Sequence, residues 1–167
     1  MRRRFPFALV LCLGTLAPPL AAQRLYRFEA GAGSGYHHFS SKLDLGSAFG
    51  FALRGGYWFY PPFSVEAELT VARPTTDTPL KKTVSTSTIS IWALDNFRMG
   101  RASTFFLKGG YGRTSFGSCP SVSIPGSGPC GSAGMFQGGL GTRIALSPTL
   151  FMRYEATVNR SLTKLKF

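Results

Sequence analysis

The residues of this sequence that first suggest chemistry are two carboxylates, Glu66 and Glu68, in the run FSVEAELTV at 63–71. Residues two positions apart share one face of a strand, and a rise of ~3.3 Å per residue places them ~6.6 Å apart along it. This separation lies within the range of the paired carboxylates that hydrolyse glycosidic bonds. The pair therefore has a catalytic interpretation, which depends on what else shares its face.

A second candidate is the segment YHHFSS, which places His37, His38 and Ser40 together. A histidine near a serine can activate the hydroxyl as a nucleophile. Adjacent histidines alone are weak evidence for a metal, because no Cys, Asp or Glu stands at ligand spacing. The simpler interpretation is two loop histidines, and the sequence predicts neither a metal nor another cofactor.

The first 22 residues have the composition of a secretory signal peptide. MRRR is followed by the apolar run FPFALVLCLGTLAPPL, and Ala21 and Ala22 precede Gln23. We therefore predict cleavage after Ala22 and one domain over 23–167. No later segment has the ~18 apolar residues of a membrane helix.

Removing the three arginines of the signal lowers the formal charge from +12 to +9. For an exported chain, this charge favours an anionic membrane surface over nucleic acid.

Seven later segments alternate apolar and polar residues with the period of two that is typical of strands. One face carries Phe, Leu, Val and Tyr, whereas the other carries Gly and Ala with isolated Arg and Glu. A water-soluble sandwich has a broadly polar outer face, but this alternation is typical of a transmembrane barrel, with lipid outside and a crowded interior. In the fourth segment the pattern is unclear, because Trp92 and Leu94 fall on the expected polar face. The segments are 24–36, 47–60, 63–71, 84–98, 103–116, 134–146 and 150–160.

The connections between these segments alternate strictly between short and long. Short turns at 60–62, 99–101 and 147–148 contrast with long connections such as RPTTDTPLKKTVS. Outer-membrane barrels have short periplasmic turns and long external loops, so we predict that the mature N-terminus lies in the periplasm. Aromatic residues near the short turns predict a periplasmic girdle. They are Trp58, Phe59, Tyr60, Phe63, Phe97, Phe105 and Phe151.

The polar face of the segments carries nine charged residues. Buried charges are tolerated when they are paired, so the alternation predicts an ion-pair network that fills the interior. On this interpretation Glu66 and Glu68 need cations rather than a substrate. The predicted network consists of Arg27, Glu29, Arg54, Glu66, Glu68, Lys108, Arg143, Arg153 and Glu155.

Two further features lie in the predicted external loops. Cys119 and Cys130 bracket PSVSIPGSGP, which is too rich in Pro, Gly and Ser for a strand, and we predict a disulfide between them, with free thiols or a metal site as the rival interpretation. Basic residues at the same end predict attraction to the phosphates of lipopolysaccharide, although a solvated loop surface would also carry them. They are Lys42, Arg73, Lys81, Lys82, Arg113, Arg160, Lys164 and Lys166.

The region from about 24 to 160 resembles the small OmpA-like and OmpX-like outer-membrane barrels. The resemblance rests on the signal peptide, on the alternating loop lengths, and on strands such as FLKGGYGR and FQGGLGTRIALSPTLFMRYEA. The resemblance implies an eight-stranded barrel of the Gram-negative outer membrane, inserted by the barrel assembly machinery, with a structural or surface-interaction role and a packed interior. The fold predicted is all-β, an antiparallel up-and-down transmembrane barrel of seven to eight strands. No extracellular partner is indicated.

The chain departs from this family at its end. After the seventh segment only SLTKLKF remains, which is shorter than the ~9 residues of a membrane strand. We expect either a shortened eighth strand or one that is mostly missing.

Two alternative functions are a narrow passive pore and a lipid A-modifying barrel enzyme. The spacing of His38 and Ser40 is similar to that in lipid A deacylases, but those enzymes carry the motif late in the chain. There it is followed by Asn and Gly, whereas Ser41 and Lys42 follow here. The sequence therefore favours a barrel without enzymatic activity.

Overall fold

The structure is a computed structural model of the 167-residue chain, and it describes residues 27–39, 45–60, 62–76, 83–100, 102–117 and 131–162. The predicted signal peptide, Ser40 and the two cysteines Cys119 and Cys130 lie outside these residues.

The described residues form seven antiparallel strands that pair in sequence order, each with the next one along the chain. The predicted all-β, up-and-down architecture is confirmed, and all seven predicted segments are strands. The connections also alternate as expected: 61–62, 99–102 and 146–150 are short, whereas 38–47, 73–85 and 117–130 are long. The strands are β1 (Phe28–His37), β2 (Ala48–Tyr60), β3 (Phe63–Ala72), β4 (Thr86–Arg98), β5 (Ser103–Phe116), β6 (Gly131–Ala145) and β7 (Phe151–Ser161).

The two faces of the sheet differ in the way that the alternation predicts. Large apolar side chains point outward, among them Phe51, Leu53, Ile91 and Leu140, each at least half exposed. Polar and charged side chains such as Glu66 and Arg143 are buried on the opposite face. We call this second face the inner face. A sheet that exposes its apolar residues and buries its charged residues is suited to an apolar environment.

Strand β4 resolves the ambiguity of the fourth segment. Ile89 and Ile91 point outward at 65% and 67% exposure, whereas Trp92 and Leu94 are buried at 2% on the inner face. There they pack with Phe106 of β5 in a small apolar cluster. The inner face is therefore not uniformly polar, because aromatic and aliphatic side chains fill the space between its charged groups.

The sheet is curled, so that side chains of the first two strands meet those of the last two. Contacts between Arg54 of β2 and Glu155 of β7, and between Glu29 of β1 and Arg143 of β6, connect the two sides. β1 and β7 are not hydrogen-bonded neighbours, so the seven strands form a half-barrel with two edges. Residues 163–167, where a shortened eighth strand is expected, lie outside the described part.

The aromatic residues at the short-turn end divide between the two faces. Phe59, Tyr60 and Phe63 are exposed on the outside and fit the predicted girdle. The prediction is wrong for Trp58 and Phe151, whose rings lie near the guanidinium of Arg143. Both share the strand face of inward-pointing charged residues, Arg54 on β2 and Arg153 on β7, and for this reason they point inward.

A second small apolar cluster lies at the long-loop end. Leu45, Val84 and Phe116 pack there, with Phe39 against them. The connections are tied together by backbone bonds from Gly46 N to Thr75 O and from Val84 N to Pro74 O, both 2.8 Å. No helix within the described residues is long and apolar enough to span a membrane.

Candidate functional site: the buried ion-pair network

Eight of the nine charged residues predicted for the interior meet on the inner face. Their side chains are at most 11% exposed. They come from six of the seven strands and form one connected set, which we call the ion-pair network. It consists of Glu29 (β1), Arg54 (β2), Glu66 and Glu68 (β3), Lys108 (β5), Arg143 (β6), and Arg153 and Glu155 (β7).

Arg27, the ninth residue, is not part of this network. It is exposed and precedes β1, where its carbonyl oxygen accepts a bond from Trp58 N at 2.8 Å. Within the described chain no ion pair reaches its side chain. The ion-pair network consequently contains four carboxylates and four cations, so that its formal charges balance.

Glu66 lies between two arginines that would otherwise repel each other. Arg143 and Arg153 are direct cross-strand partners on β6 and β7, an arrangement that is unfavourable for like charges. Glu66 reaches both of them from β3, at 2.9 Å from Arg143 Nη2 and 2.7 Å from Arg153 Nη1. Glu29 adds a contact of 3.1 Å to Arg143 Nη2.

Glu68 has different neighbours, although it is only two residues away. It pairs with Arg54, its direct cross-strand partner on β2, at 3.3 Å. Arg54 also contacts Glu155 at 3.3 Å, and Glu155 in turn accepts a bond of 3.1 Å from Lys108 Nζ. Each of the two carboxylates is thus held by different cations, which is unlike a pair that acts together on one substrate.

Arg153 joins the two halves of the ion-pair network. Its guanidinium contacts Glu66 and Glu29 on one side, and Glu155 at 2.7 Å on the other. Without Arg153, the contacts would separate into a group around Arg143 and a group around Arg54. A guanidinium suits this position because its planar fork offers several donors at fixed angles.

Uncharged residues complete the surroundings of the cations. The centre of the Phe106 ring is 4.9 Å from Arg143 Cζ and 4.3 Å from Arg153 Cζ. Lys108 Nζ lies 3.9 Å from the centre of the Trp92 ring. Cation–π contacts of this kind gain strength when water is excluded. Asn96 accepts a bond of 2.7 Å from Arg143, and Trp58 donates one of 2.9 Å to Glu29.

Glycines on the inner face make room for the long charged side chains. A Cβ atom on Gly56 would lie 2.9 Å from Glu29 Cγ and 3.1 Å from Glu66 Cγ. On Gly139 it would lie 2.6 Å from the carbonyl oxygen of Ala156, 2.8 Å from Thr157 Cγ2 and 3.1 Å from Lys108 Cε. The alternation of glycine with charge in the sequence therefore corresponds to a packing requirement.

The histidine candidates lie at the long-loop end, away from the ion-pair network. His38 Nδ1 is 2.9 Å from Ser47 Oγ in an exposed position, and His37 is partly buried over Gly50. No carboxylate in the described residues hydrogen-bonds either histidine, and no group of three potential metal ligands occurs among those residues. Ser40 lies outside the described part, as do Cys119 and Cys130.

Comparison with known proteins identifies the family. A model described as the outer membrane protein beta-barrel domain matches residues 6–166. The chain belongs to this outer-membrane β-barrel family. No curated protein and no solved structure matches the chain. Membership agrees with the apolar outward face and the charged inner face, and it implies that the protein is located in an outer membrane.

For an outer-membrane β-barrel, the inner face determines whether anything passes through or reacts inside. Sequence reasoning did not identify the neutral partners of the charges, notably Asn96, Trp58 and Phe106. Asn96 and Phe106 stand an even number of residues from charged or buried inner-face positions, which is the signal that could have identified them.

Proposed function

We propose that this chain is a structural or surface-interaction barrel whose interior is closed by the ion-pair network. The observation that carries the proposal is the balanced set of four carboxylates and four cations, all nearly inaccessible to solvent. Removing either sign from such a set is costly because it leaves a buried charge uncompensated, whereas the complete set has no such charge. A closed interior leaves the outer surface and the long loops as the parts available for interaction.

The test is single-channel recording on the refolded protein, combined with heat-modifiable gel migration to verify folding. We expect a folded wild-type barrel without steady conductance. The double substitution Glu66→Gln, Glu68→Gln should raise the conductance or abolish the folded gel band. Arg73→Gln, Arg113→Gln, at exposed positions, serves as the matched control and should behave as wild type. Steady conductance in the wild type would contradict a closed interior.

The second candidate function is a narrow pore. It is favoured by a cavity of about 50 Å³ at the long-loop end, which reaches down to Arg54, Glu68 and Glu155. A permeating ion would then have to pass the ion-pair network at the inner end of this cavity. The same recording distinguishes the two functions, because a pore conducts without any substitution.

We do not propose enzymatic activity. Glu66 and Glu68 are each bound by arginine, and His38 is near Ser47 without an acidic partner in the described residues. Lipid deacylation by the wild type that is lost in His38→Ala would overturn this part of the proposal.

The proposed orientation places the short turns in the periplasm and the long loops outside, with a disulfide between Cys119 and Cys130 in the last loop.

Lipopolysaccharide is the proposed surface partner. Of the predicted basic collar, Arg73, Arg113 and Arg160 are exposed in the described residues. Replacing these three by Gln should weaken salt-sensitive binding of lipopolysaccharide to the refolded barrel, and unchanged binding would count against the collar.

A further inference from the structure

Two exposed arginines lie on the outward face of the sheet near the long-loop end. Arg113 of β5 takes the next outward position after Tyr111, and Arg160 of β7 takes the next one after Val158. Both arginines are exposed, and neither forms an ion pair with a carboxylate of the described residues. Cations without a partner at the boundary of a membrane attract anionic lipid groups.

Strand β6 lies between the two arginines and sets the distance between them. Gly134 of β6 is the direct cross-strand partner of Arg113, and Phe136 is that of Arg160. With ~4.8 Å between neighbouring strands and ~6.6 Å for the offset of two residues, the two arginine Cα atoms are roughly 12 Å apart. Nε and Nη2 of Arg113 donate to Ser132 Oγ of β6 at 3.0 and 2.6 Å, so this guanidinium leans toward β6. Both long side chains can therefore reach one group that lies over β6.

A tyrosine hydroxyl lies over β6 as well. A Cβ atom on Gly134 would overlap Tyr111 Oη, so the lack of a side chain at this position makes room for the hydroxyl group. Tyr111 is 50% exposed. A phenolic hydroxyl can donate a hydrogen bond to an anion, and this one lies directly opposite Arg113 on the strand that separates the two arginines.

Apolar rings lie next to these donors, on the side nearer the middle of the strands. Tyr111 and Phe136 are direct cross-strand partners whose rings pack edge to face, with centroids 6.0 Å apart. A lipid with an anionic head and acyl chains matches this order of cations followed by rings. A second copy of the chain in the same orientation does not match it, because it would bring the same arginines to this level, where like charges repel.

We infer that Arg113, Arg160 and Tyr111 form a binding site for a phosphate group of lipopolysaccharide, which we call the phosphate site. The two guanidinium groups and the hydroxyl donate to the phosphate oxygens, and an acyl chain lies against the rings of Tyr111 and Phe136. Guanidinium groups suit this role because their planar donors bind phosphate in a bidentate way. The inference rests on the proposed orientation and surface partner, and it narrows that partner's contact from a basic collar to one site.

The test measures binding of fluorescently labelled lipopolysaccharide to the full chain, refolded in neutral detergent micelles, by anisotropy. Gel migration verifies that each variant is folded. Arg113→Gln and Arg160→Gln should each weaken binding about tenfold, as expected for the loss of a charge-assisted hydrogen bond. Tyr111→Phe keeps the ring and removes only the hydroxyl, and it should weaken binding about threefold. Arg73→Gln removes an exposed collar charge outside the phosphate site and should weaken binding by no more than about twofold.

Lipopolysaccharide whose phosphates have been removed should bind the wild type as weakly as intact lipopolysaccharide binds the double variant Arg113→Gln, Arg160→Gln. Equal losses for Arg73→Gln and Arg113→Gln would overturn the phosphate site and leave a diffuse collar, with lipopolysaccharide still the surface partner. Equal competition by phosphatidylglycerol at the same phosphate concentration would overturn lipopolysaccharide as the occupant of the site. A wild type that binds no lipopolysaccharide would overturn the proposed surface partner together with the site.

Discussion

At the scale of single residues, Glu66 and Glu68 show how one strand face places two identical side chains in different roles. Glu66 separates the facing arginines Arg143 and Arg153, whereas Glu68 neutralises Arg54 alone. The difference arises from the curl of the sheet, which brings Arg143 of β6 and Arg153 of β7 into contact with Glu66 but not with Glu68.

This difference predicts unequal effects of the same substitution on stability. Glu66→Gln leaves two adjacent buried cations undercompensated and should lower the free energy of unfolding by about 3–5 kcal/mol. The matched variant Glu68→Gln removes one charge-assisted contact and should cost roughly 1–2 kcal/mol. Urea unfolding in detergent micelles, followed by gel migration, measures both. Equal losses would show that Glu66 does not have this separating role.

Alternation in the sequence was sufficient to assign most charged residues to one face, because the side-chain period of a strand is two. It could not assign partners. Arg143 and Glu66 are distant in sequence, and they meet only because the sheet curls. Arg27 also follows the alternation, but β1 begins only at Phe28, so Arg27 lies outside the strand and its side chain is not on the inner face. Alternation alone cannot place Trp92, because the inner face also contains buried apolar side chains.

At the scale of the strands, neighbouring glycines have opposite functions. On β2, Gly56 faces inward between Glu29 and Glu66, whereas a Cβ atom on Gly55 would meet nothing within 4 Å. The same contrast separates Gly139 from Gly138 on β6. The inward Gly56 and Gly139 therefore lie against neighbouring groups, whereas a Cβ atom on the outward Gly55 or Gly138 would have no neighbour within 4 Å.

The pair on β2 provides a controlled test of this packing. Gly56→Ala should lower the free energy of unfolding by about 1–3 kcal/mol, because the added methyl group displaces two carboxylate side chains of the ion-pair network. Gly55→Ala should be neutral, or stabilising by about 0.4–1 kcal/mol through the lower entropy of the unfolded chain. Denaturant midpoints of the two variants measure the difference, and a harmless Gly56→Ala would mean that the carboxylates have other space to occupy.

At the scale of the whole molecule, side chains connect the two sides of the sheet that end in the edge strands β1 and β7. β1 and β7 run in the same direction because each strand reverses the one before it. One further strand running the opposite way could pair antiparallel with both edges, whereas direct pairing of β1 with β7 would be parallel. In the described structure the edges are linked through Glu29 to Arg143 and Arg153, and through Arg54 to Glu155.

Because Glu29 is the carboxylate that β1 contributes, its charge should control how firmly this edge is held. Glu29→Gln preserves the shape of the side chain and its bond from Trp58, but it removes the attraction to Arg143 and Arg153. We expect faster amide hydrogen exchange across 28–37, measured by mass spectrometry on the refolded protein, with little change in β4. Glu68→Gln is the matched control, since its partner Arg54 lies on the adjacent strand β2. Equal exchange of β1 in both variants would mean that backbone pairing with β2 holds this edge without help from the ion pairs.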